Sequence, residues 1–391
     1  MKIIMQDPWG IKNLGVYDYS LCDALYKKNI NPTLITNWYY EYDRLSNFKV
    51  EKIFFKYSEN MKIGIIRKVI RGLEYCFTIL GLLSKYSKES PDIIHIQWLL
   101  FYQFDYFWLR VLRYRLRKKN TKIILTAHNI LPHTNGYKYK NILEKIYSQF
   151  DGIIVHGEVL KEQMIRVFGE KANDWSIGVT PHGTFSKLLE KVNKEILNNY
   201  RKKIKLFKAE GYNFLFAGTI HKNKGLDILL KAWGKHINEF PNDKLYIVGN
   251  PTYNMNDELK YIQKYSTSIN TSFGYKSDEE LLAYFMECDF VVLPYKEASQ
   301  SGVLLTALSL GKPVIVTRVG ALPEVVNIVK GGYIVKPNNP KHLYLTINKA
   351  SEITGDKLIK WNDDIKYKTN KLFSWDNIAK LTYNFYKELF L

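Results

Sequence analysis

The stretch from Tyr295 to Glu324, YKEASQSGVLLTALSLGKPVIVTRVGALPE, decides the fold. It opens on a polar loop, Glu297 to Ser301, that ends on a residue suited to cap a helix. Gly302 to Leu310 is apolar at nearly every position except Thr306 and Ser309, the composition of a buried helix. Gly311 stops that helix, and Pro313 to Thr317 reads as a short β-branched strand. A second turn, Arg318 to Pro323, opens another helix with Pro323 at its start and Glu324 in its first turn. Ser301, Gly302 and Val303 place free backbone N–H groups at the start of a helix without an acid in its first turn. Gly302 lets a ligand approach the main chain. A helix end of this kind is an anion site, most often for phosphate. The same stretch also fits an ordinary strand-loop-helix unit, so the rest of the chain has to decide.

The 391 residues exceed one typical domain, and two are expected. Cys22, Cys76 and Cys288 are odd in number and far apart, which argues against a disulfide framework and for a reducing compartment. The apolar run in MKIIMQDPWG is too short for a signal peptide. The run Cys76 to Leu83 is far below the roughly 20 residues of a spanning helix. The expectation is a cytoplasmic protein, peripheral on the inner face of the plasma membrane. The formal charge of +19 points to acidic partners: nucleotides, a phospholipid surface or nucleic acid.

Taken in order, Lys2 to Met5 is a first strand, Gln6 to Gly15 a loop, and Tyr17, Leu21, Ala24 and Leu25 fall at helical spacing. Thr33 to Thr36 is the next strand, the start of a doubly wound sheet. Residues 38 to 90 read only as aromatic and basic, with a helix in their second half. Asp92 to Ile96 is a strand leading to His95, Gln97 and Trp98, and Tyr102 to Lys119 a helix. Three further strands run into a histidine: Lys122 to Thr126 into His128, Gly152 to Val155 into His156, and Ser176 to Val179 into Pro181-His182-Gly183. One such histidine would be structural; several at one edge of a parallel sheet favour a polar site. A charged helical segment, Glu190 to Glu210, precedes a restart of the α/β rhythm. Strands are expected at Asn213 to Ala217, Lys244 to Val248, just before Gly274, at Asp289 to Leu293 and at Gly332 to Val335. Ser277 and Ser374 are expected to cap helices.

The segments FAGTIHKNKGLDILLKAW, YIVGN, FGYKSDEELLAYFMECDFVVLPY, SGVLLTALSLGKPVIVTRVGALPEVV and FSWDNIAKLTYNFY, in this order, resemble glycosyltransferase family 4. The resemblance is dense from Asn213 to Val335 and at Ser374 to Tyr386. It is thinner in the first half, where it rests on the Gly15 loop, TAHNILPH (Thr126 to His133) and the Pro-His-Gly turn. It implies an α/β protein of the GT-B type, two Rossmann-like domains facing each other across a cleft. Residues 1–187 would form an acceptor-binding domain and 188–370 a nucleotide-sugar domain, with a helix in 371–391 packing back toward the first. The implied activity is transfer of a sugar from a UDP-sugar or GDP-sugar, with retention, and without a metal or other cofactor. The acceptor is a saccharide or lipid-linked saccharide of cell-surface glycan synthesis; nucleic acid is not an expected partner.

Residue by residue, Lys224 stands where the family's diphosphate-binding Lys stands. Gly218 and Thr219 precede it, Thr219 in place of the family's Arg. His128 matches the family's His at the sugar, Gly15 the glycine of the first loop, and Tyr275 the segment that meets the base. Ser301, Gly302 and Val303 match the phosphate-facing helix start. Two family Glu positions hold Ala298 and Thr306 here. Glu297 stands one residue from the first and is assigned to the sugar; Thr306 offers the ribose a hydroxyl in place of a carboxylate. Two alternatives stay open: a nucleotide-sugar epimerase, because it could share the same fold, and, given the lost Glu pair, a non-catalytic nucleotide-sugar-binding partner subunit. Finally, thirteen Lys or Arg lie between Lys62 and Lys122. They interleave with apolar residues that include Ile65, Val69, Phe77, Trp108, Leu109 and Leu112, a pattern that fits an anionic membrane surface.

Overall fold

A computed structural model describes residues 1–62, 64–132, 136–184, 192–205 and 210–391. His133, the last residue of the TAHNILPH motif, and parts of the charged Glu190 to Glu210 segment lie outside the described residues. The chain divides into two compact units, Met1–Gly183 with Trp375–Leu391, and Thr184–Ser374.

Unit 1 is built on a parallel sheet of seven strands: β1 (Ile3–Asp7), β2 (Pro32–Asn37), β3 (Lys49–Phe54), β4 (Ile93–Ile96), β5 (Lys122–Thr126), β6 (Gly152–Val155) and β7 (Ile177–Val179). Their spatial order is β3-β2-β1-β4-β5-β6-β7. The order reverses between β1 and β4, which pair Ile3 with Ile93 through Gln6 with Ile96. At such a reversal the following loops splay apart and leave a crevice at the carboxyl ends. The helices are α1 (Lys12–Tyr26), α2 (Gly64–Glu89), α3 (Tyr102–Leu116), α4 (Lys140–Tyr147) and α5 (Glu158–Phe168). α1 begins earlier than the sequence suggests: Gly15 lies inside its first turn, not in the preceding loop. A Cβ on Gly15 would press on the Gly10 carbonyl, so the glycine makes room for the loop itself.

Unit 2 contains α6 (Lys194–Lys205), β8 (Asn213–Ala217), α7 (Leu226–His236), β9 (Lys244–Gly249), α8 (Asn256–Lys264), β10 (Ile269–Phe273), α9 (Asp278–Glu287) and β11 (Phe290–Leu293). It continues with α10 (Gly302–Ser309), β12 (Val314–Thr317), α11 (Leu322–Val329), β13 (Gly332–Val335), α12 (Pro340–Ser351) and α13 (Gly355–Leu372). The six parallel strands run β10-β9-β8-β11-β12-β13, with the reversal between β8 and β11. Alternate strand residues feed two cores. Phe214, Phe216, Leu245, Ile247, Phe290 and Val292 pack on one face of the sheet. Leu215, Tyr246, Val248, Val291, Leu293 and Val316 pack on the other. Strands buried on both faces read as continuous apolar runs, which is why the sequence shows them clearly.

The last helix, α14 (Trp375–Glu388), belongs to unit 1. A Cβ on Gly178 would strike the Phe385 ring and one on Gly183 the Trp375 ring, so two glycines of unit 1 make room for this helix. α10 has the caps read from sequence: Ser301 Oγ accepts from Leu304 N at 3.2 Å. Ser277 caps α9 in the same way, accepting from Glu280 N.

Candidate functional site

In unit 1 the histidines at the strand ends gather. The rings of His128 and His156 lie 4.9 Å apart and those of His156 and His182 5.6 Å apart. Tyr17 of α1 packs edge-on against His128 at 5.2 Å and against His156 at 5.7 Å. Trp98 stacks flat on His128 at 4.8 Å. A cavity of about 210 Å³ opens beside them over Gln97, Trp98, Tyr102, His128, Asn129 and Tyr147. Trp98 Nε1 is buried there without an acceptor among the described residues, a donor that a ligand oxygen would satisfy.

The hydrogen bonds among these groups have a direction. His156 Nδ1 lies 2.9 Å from the Thr180 carbonyl, which only accepts, so Nδ1 carries a proton. Burial holds the His156 imidazole neutral, its pKa pushed down to about 3. Its Nε2 is then a lone pair, 3.0 Å from His128 Nδ1, which must donate. Burial first, and the neighbouring imidazoles second, also hold His128 well below the usual histidine range. His128 Nε2 is therefore an acceptor. Gln97 bridges it to His95, with Oε1 3.1 Å from His128 Nε2 and its own Nε2 3.3 Å from His95 Nε2. The direction set by Thr180 requires these two isosteric amide atoms to exchange places, so that the NH2 group serves His128. His95 Nε2 also meets Thr126 Oγ1 at 2.7 Å, and its Nδ1 meets the Tyr386 hydroxyl of α14 at 2.6 Å. One chain of donors thus runs from Tyr386 through His95, Gln97, His128 and His156 to Thr180.

Nearby, Asp7 ends β1 and Asp18 lies on α1, both fully buried. Burial, and then each other's charge for Asp18, push both carboxyls above the usual range, so the pair holds a proton at neutral pH. Among the described residues no group of three or more His, Cys, Asp or Glu side chains is arranged to hold a metal ion.

In unit 2 the carboxyl ends of β8, β9 and β11 meet. Gly249 ends β9 at φ 141°, and any side chain on it would strike the Gly218 carbonyl after β8. Gly274 N donates to Gly249 O at 3.0 Å, which brings the β10 end into the same edge. A short turn, Lys222 to Lys224, then presents Lys224, and Gly225 at φ 70° closes that turn against the Pro294 carbonyl. Lys224 Nζ lies 3.7 Å from the centroid of the Tyr295 ring. The Tyr295 hydroxyl is 3.3 Å from Ser301 Oγ. Lys224, Tyr295 and the start of α10 therefore form one cluster, at the topological reversal of the sheet. Burial pushes the Lys224 ammonium down to about 8. The first N–H groups of α10 have no partner within the helix, and Gly302 is exposed in front of them.

The other sequence-derived residues fall around this cluster. Val303 Cγ2 lies 3.3 Å from the place a Gly218 Cβ would take. Thr306 is half-buried, one turn along α10, and Thr219 is exposed beside Gly218. His221, two residues after Thr219, is engaged by the Thr252 hydroxyl. Tyr275 is 82% exposed at the β10 end. Glu297 is exposed; Asn223 donates to its backbone carbonyl at 3.5 Å, and no side-chain partner holds its carboxylate among the described residues. Sequence reasoning passed over Gln300, whose Nε2 is buried in the same loop without a partner among the described residues. The signal was present, in the polar run from Glu297 to Ser301 that had to end beside Ser301.

Two family models match the chain: "Glycosyl transferases group 1" over residues 211–352 and "Glycosyltransferase Family 4" over residues 14–184. An uncharacterized glycosyltransferase of Methanocaldococcus jannaschii is 31% identical over 200 residues, 51% of this chain and 52% of that relative. The match thus spans about half the length of that relative. The lipopolysaccharide 1,2-N-acetylglucosaminetransferase of Salmonella typhimurium is 23% identical, covering 79% of this chain and 76% of its own. Among solved structures, Anabaena HepE in complex with UDP superposes with a TM-score of 0.72 at 15% identity, over 99% of this chain and 100% of that one. That likeness is one of fold.

Proposed function

The chain belongs to the family 4, group 1 glycosyltransferases, and from that premise we propose that it transfers a sugar from a UDP-sugar or GDP-sugar to a saccharide or lipid-linked saccharide, with retention, in cell-surface glycan synthesis. The observation that carries this reading is the cluster of Lys224, Tyr295 and the start of α10. A cation and a row of unpaired N–H groups converge there on a space suited to a diphosphate.

Lys224 neutralises charge that grows on the departing diphosphate, while the N–H groups of Gly302 and Val303 meet its oxygens. A retaining transfer of this type needs no carboxylate pair of the hydrolase kind. The acceptor hydroxyl attacks from the leaving-group side, and the departing phosphate oxygen takes its proton. The protein supplies orientation and charge. Glu297 and Gln300 reach the donor sugar, Thr306 the ribose, and Gly218, Thr219 and Tyr275 border the nucleotide. In unit 1 His128 lines the sugar's side of the cavity as a neutral ring, its two nitrogens held by His156 and Gln97. Its Nε2 has a lone pair and no proton to give, so it positions and does not act as an acid. Two supports favour a lipid-linked acceptor at an anionic membrane surface: the charge of +19 and the activity named for the Salmonella relative.

A screen of nucleotide sugars for slow hydrolysis and thermal stabilisation tests the reading. One donor should stabilise the protein and be hydrolysed slowly without acceptor. Stabilisation with no turnover under any acceptor would favour a binding subunit. Epimer formed without acceptor would favour an epimerase.

A further inference from the structure

We propose that the outward faces of α2 and α3 together form a docking surface for an anionic lipid bilayer. α2 exposes Ile65, Ile66, Val69, Leu73, Phe77 and Leu80, each between 47% and 79% accessible. At 3.6 residues per turn these six fall within an arc of about 120°. The arc lies opposite Tyr75, Ile79, Leu82 and Tyr86, which are buried in the unit 1 core. A stripe of this length is not a scatter of surface apolar residues; it needs a cover.

α3 lies beside it. The Tyr75 hydroxyl of α2 donates to Asp105 of α3 at 2.7 Å, and the Tyr75 ring meets Phe101 and Phe104. The two helices thus cover the same face of the sheet and turn their outer faces the same way. On α3 the residues Trp108, Leu109 and Leu112 are fully buried, which corrects the expectation that they belong to the lipid-facing set. Its outer line is instead Phe107, Arg110 and Tyr114, continued by Arg117 and Lys118, and Arg117 stacks on the Tyr114 ring at 3.7 Å.

Charge selects the partner. Arg67 and Arg71 are spent on Glu59, and Lys85 on Glu51 and Glu89. The acids of these helices are occupied as well. Glu74 accepts from Tyr57 N and Ser58 N, Glu89 pairs with Lys2 and Lys85, and Asp105 is buried. What faces outward is an apolar stripe next to Lys68, Arg110, Arg117 and Lys118, with no free carboxylate on either helix. A second copy would set one basic rim against another. A bilayer with anionic headgroups takes both halves: the stripe enters the acyl boundary and the bases meet phosphates. The inference deepens the reading of a lipid-linked acceptor and rests on it for its purpose. Binding is measured without turnover, so the two can fail separately.

The test is sedimentation of the full chain with vesicles of phosphatidylcholine alone or mixed with phosphatidylglycerol. The chain should sediment with the mixed vesicles, less with phosphatidylcholine, and be released as salt screens the charges. Replacing Ile65, Val69, Leu73 and Phe77 by Ser should weaken binding by about tenfold or more. Replacing Arg110, Arg117 and Lys118 by Gln should weaken it roughly a hundredfold at low salt, at about fivefold per basic residue. Both variants should keep the wild-type melting temperature and donor hydrolysis. Absence of wild-type sedimentation at low salt, or unchanged binding by the Ser variant, overturns the proposal. So does a dimer in gel filtration that the Ser variant abolishes while wild type ignores vesicles; the face would then be a protein interface.

Discussion

His128 Nδ1 and His156 Nε2 face each other at 3.0 Å, and the Thr180 carbonyl behind His156 dictates that His128 is the donor. His156→Leu leaves a buried N–H unanswered, at a cost of roughly 1–3 kcal/mol, and should lower transfer by about tenfold as the His128 ring loses its fixed plane. His156→Gln, whose side-chain oxygen can accept in place of Nε2, should recover most of the loss. Nitrogen-15 spectra of histidine-labelled protein provide the independent readout. Both rings should carry their proton on Nδ1. A proton on His128 Nε2 would show that the direction of the chain is wrong.

Lys224→Ala should reduce turnover by about 10- to 100-fold, the range for a charge-assisted hydrogen bond of roughly 1.5–3 kcal/mol. The pH profile supplies a second check. Burial lowers this ammonium to about 8, so the charged form is present below that pH and lost above it. Donor kcat/KM should fall on the alkaline side of about 8, and Lys224→Arg should remove that limb because guanidinium stays charged. An identical alkaline limb in the Arg variant would assign it to another group.

Glu297→Gln should weaken binding of the nucleotide sugar and spare the free nucleoside diphosphate. The carboxylate is exposed with no side-chain partner among the described residues, so its loss costs the fold little. Gln300→Leu should do the same through its unpartnered amide. Calorimetry with both ligands decides: equal losses for the two would move these residues off the sugar.

Asp18→Asn should stabilise unit 1 increasingly as pH rises. Burial raises the folded pKa of both Asp7 and Asp18, and Asp7 raises that of Asp18 further, so the folded state binds more protons than the unfolded chain. Their contribution is greatest in acid and declines as pH climbs through the folded values. An amide at 18 needs no proton. The gain in melting temperature over wild type should be near zero in mild acid and largest above neutrality. A pH-independent difference would mean the pair is not sharing a proton.

Much of this was legible in the chain. The strands β4, β5, β6, β8, β9, β11 and β12 announced themselves because burial on both faces leaves nearly unbroken apolar runs. The histidines could be grouped because each follows a parallel strand. β3 escaped because its residues, KVEKIF, alternate charge at a half-exposed edge of the sheet. α12 and α13 escaped because their polar faces dominate a short window. The direction of the imidazole chain was out of reach, since its donor end, Tyr386, stands 291 residues from His95. Which apolar residues of α2 and α3 reach the surface was not legible: bases and apolar residues interleave equally in core and surface helices, and only burial separates Trp108 from Phe77.

The allegiance of α14 to unit 1 makes the protein's completion a matter of timing. A ribosome releases residues 1–183, then the whole of unit 2, and only afterwards Trp375 to Glu388. Through that interval the hollows over Gly178 and Gly183 stand open, and His95 waits for a hydroxyl that has not been translated. A nascent chain therefore carries a buried histidine, two links from His128, whose hydrogen-bonding is unfinished until synthesis has passed through the second nucleotide fold. Unit 1 becomes fit for work only after unit 2 exists.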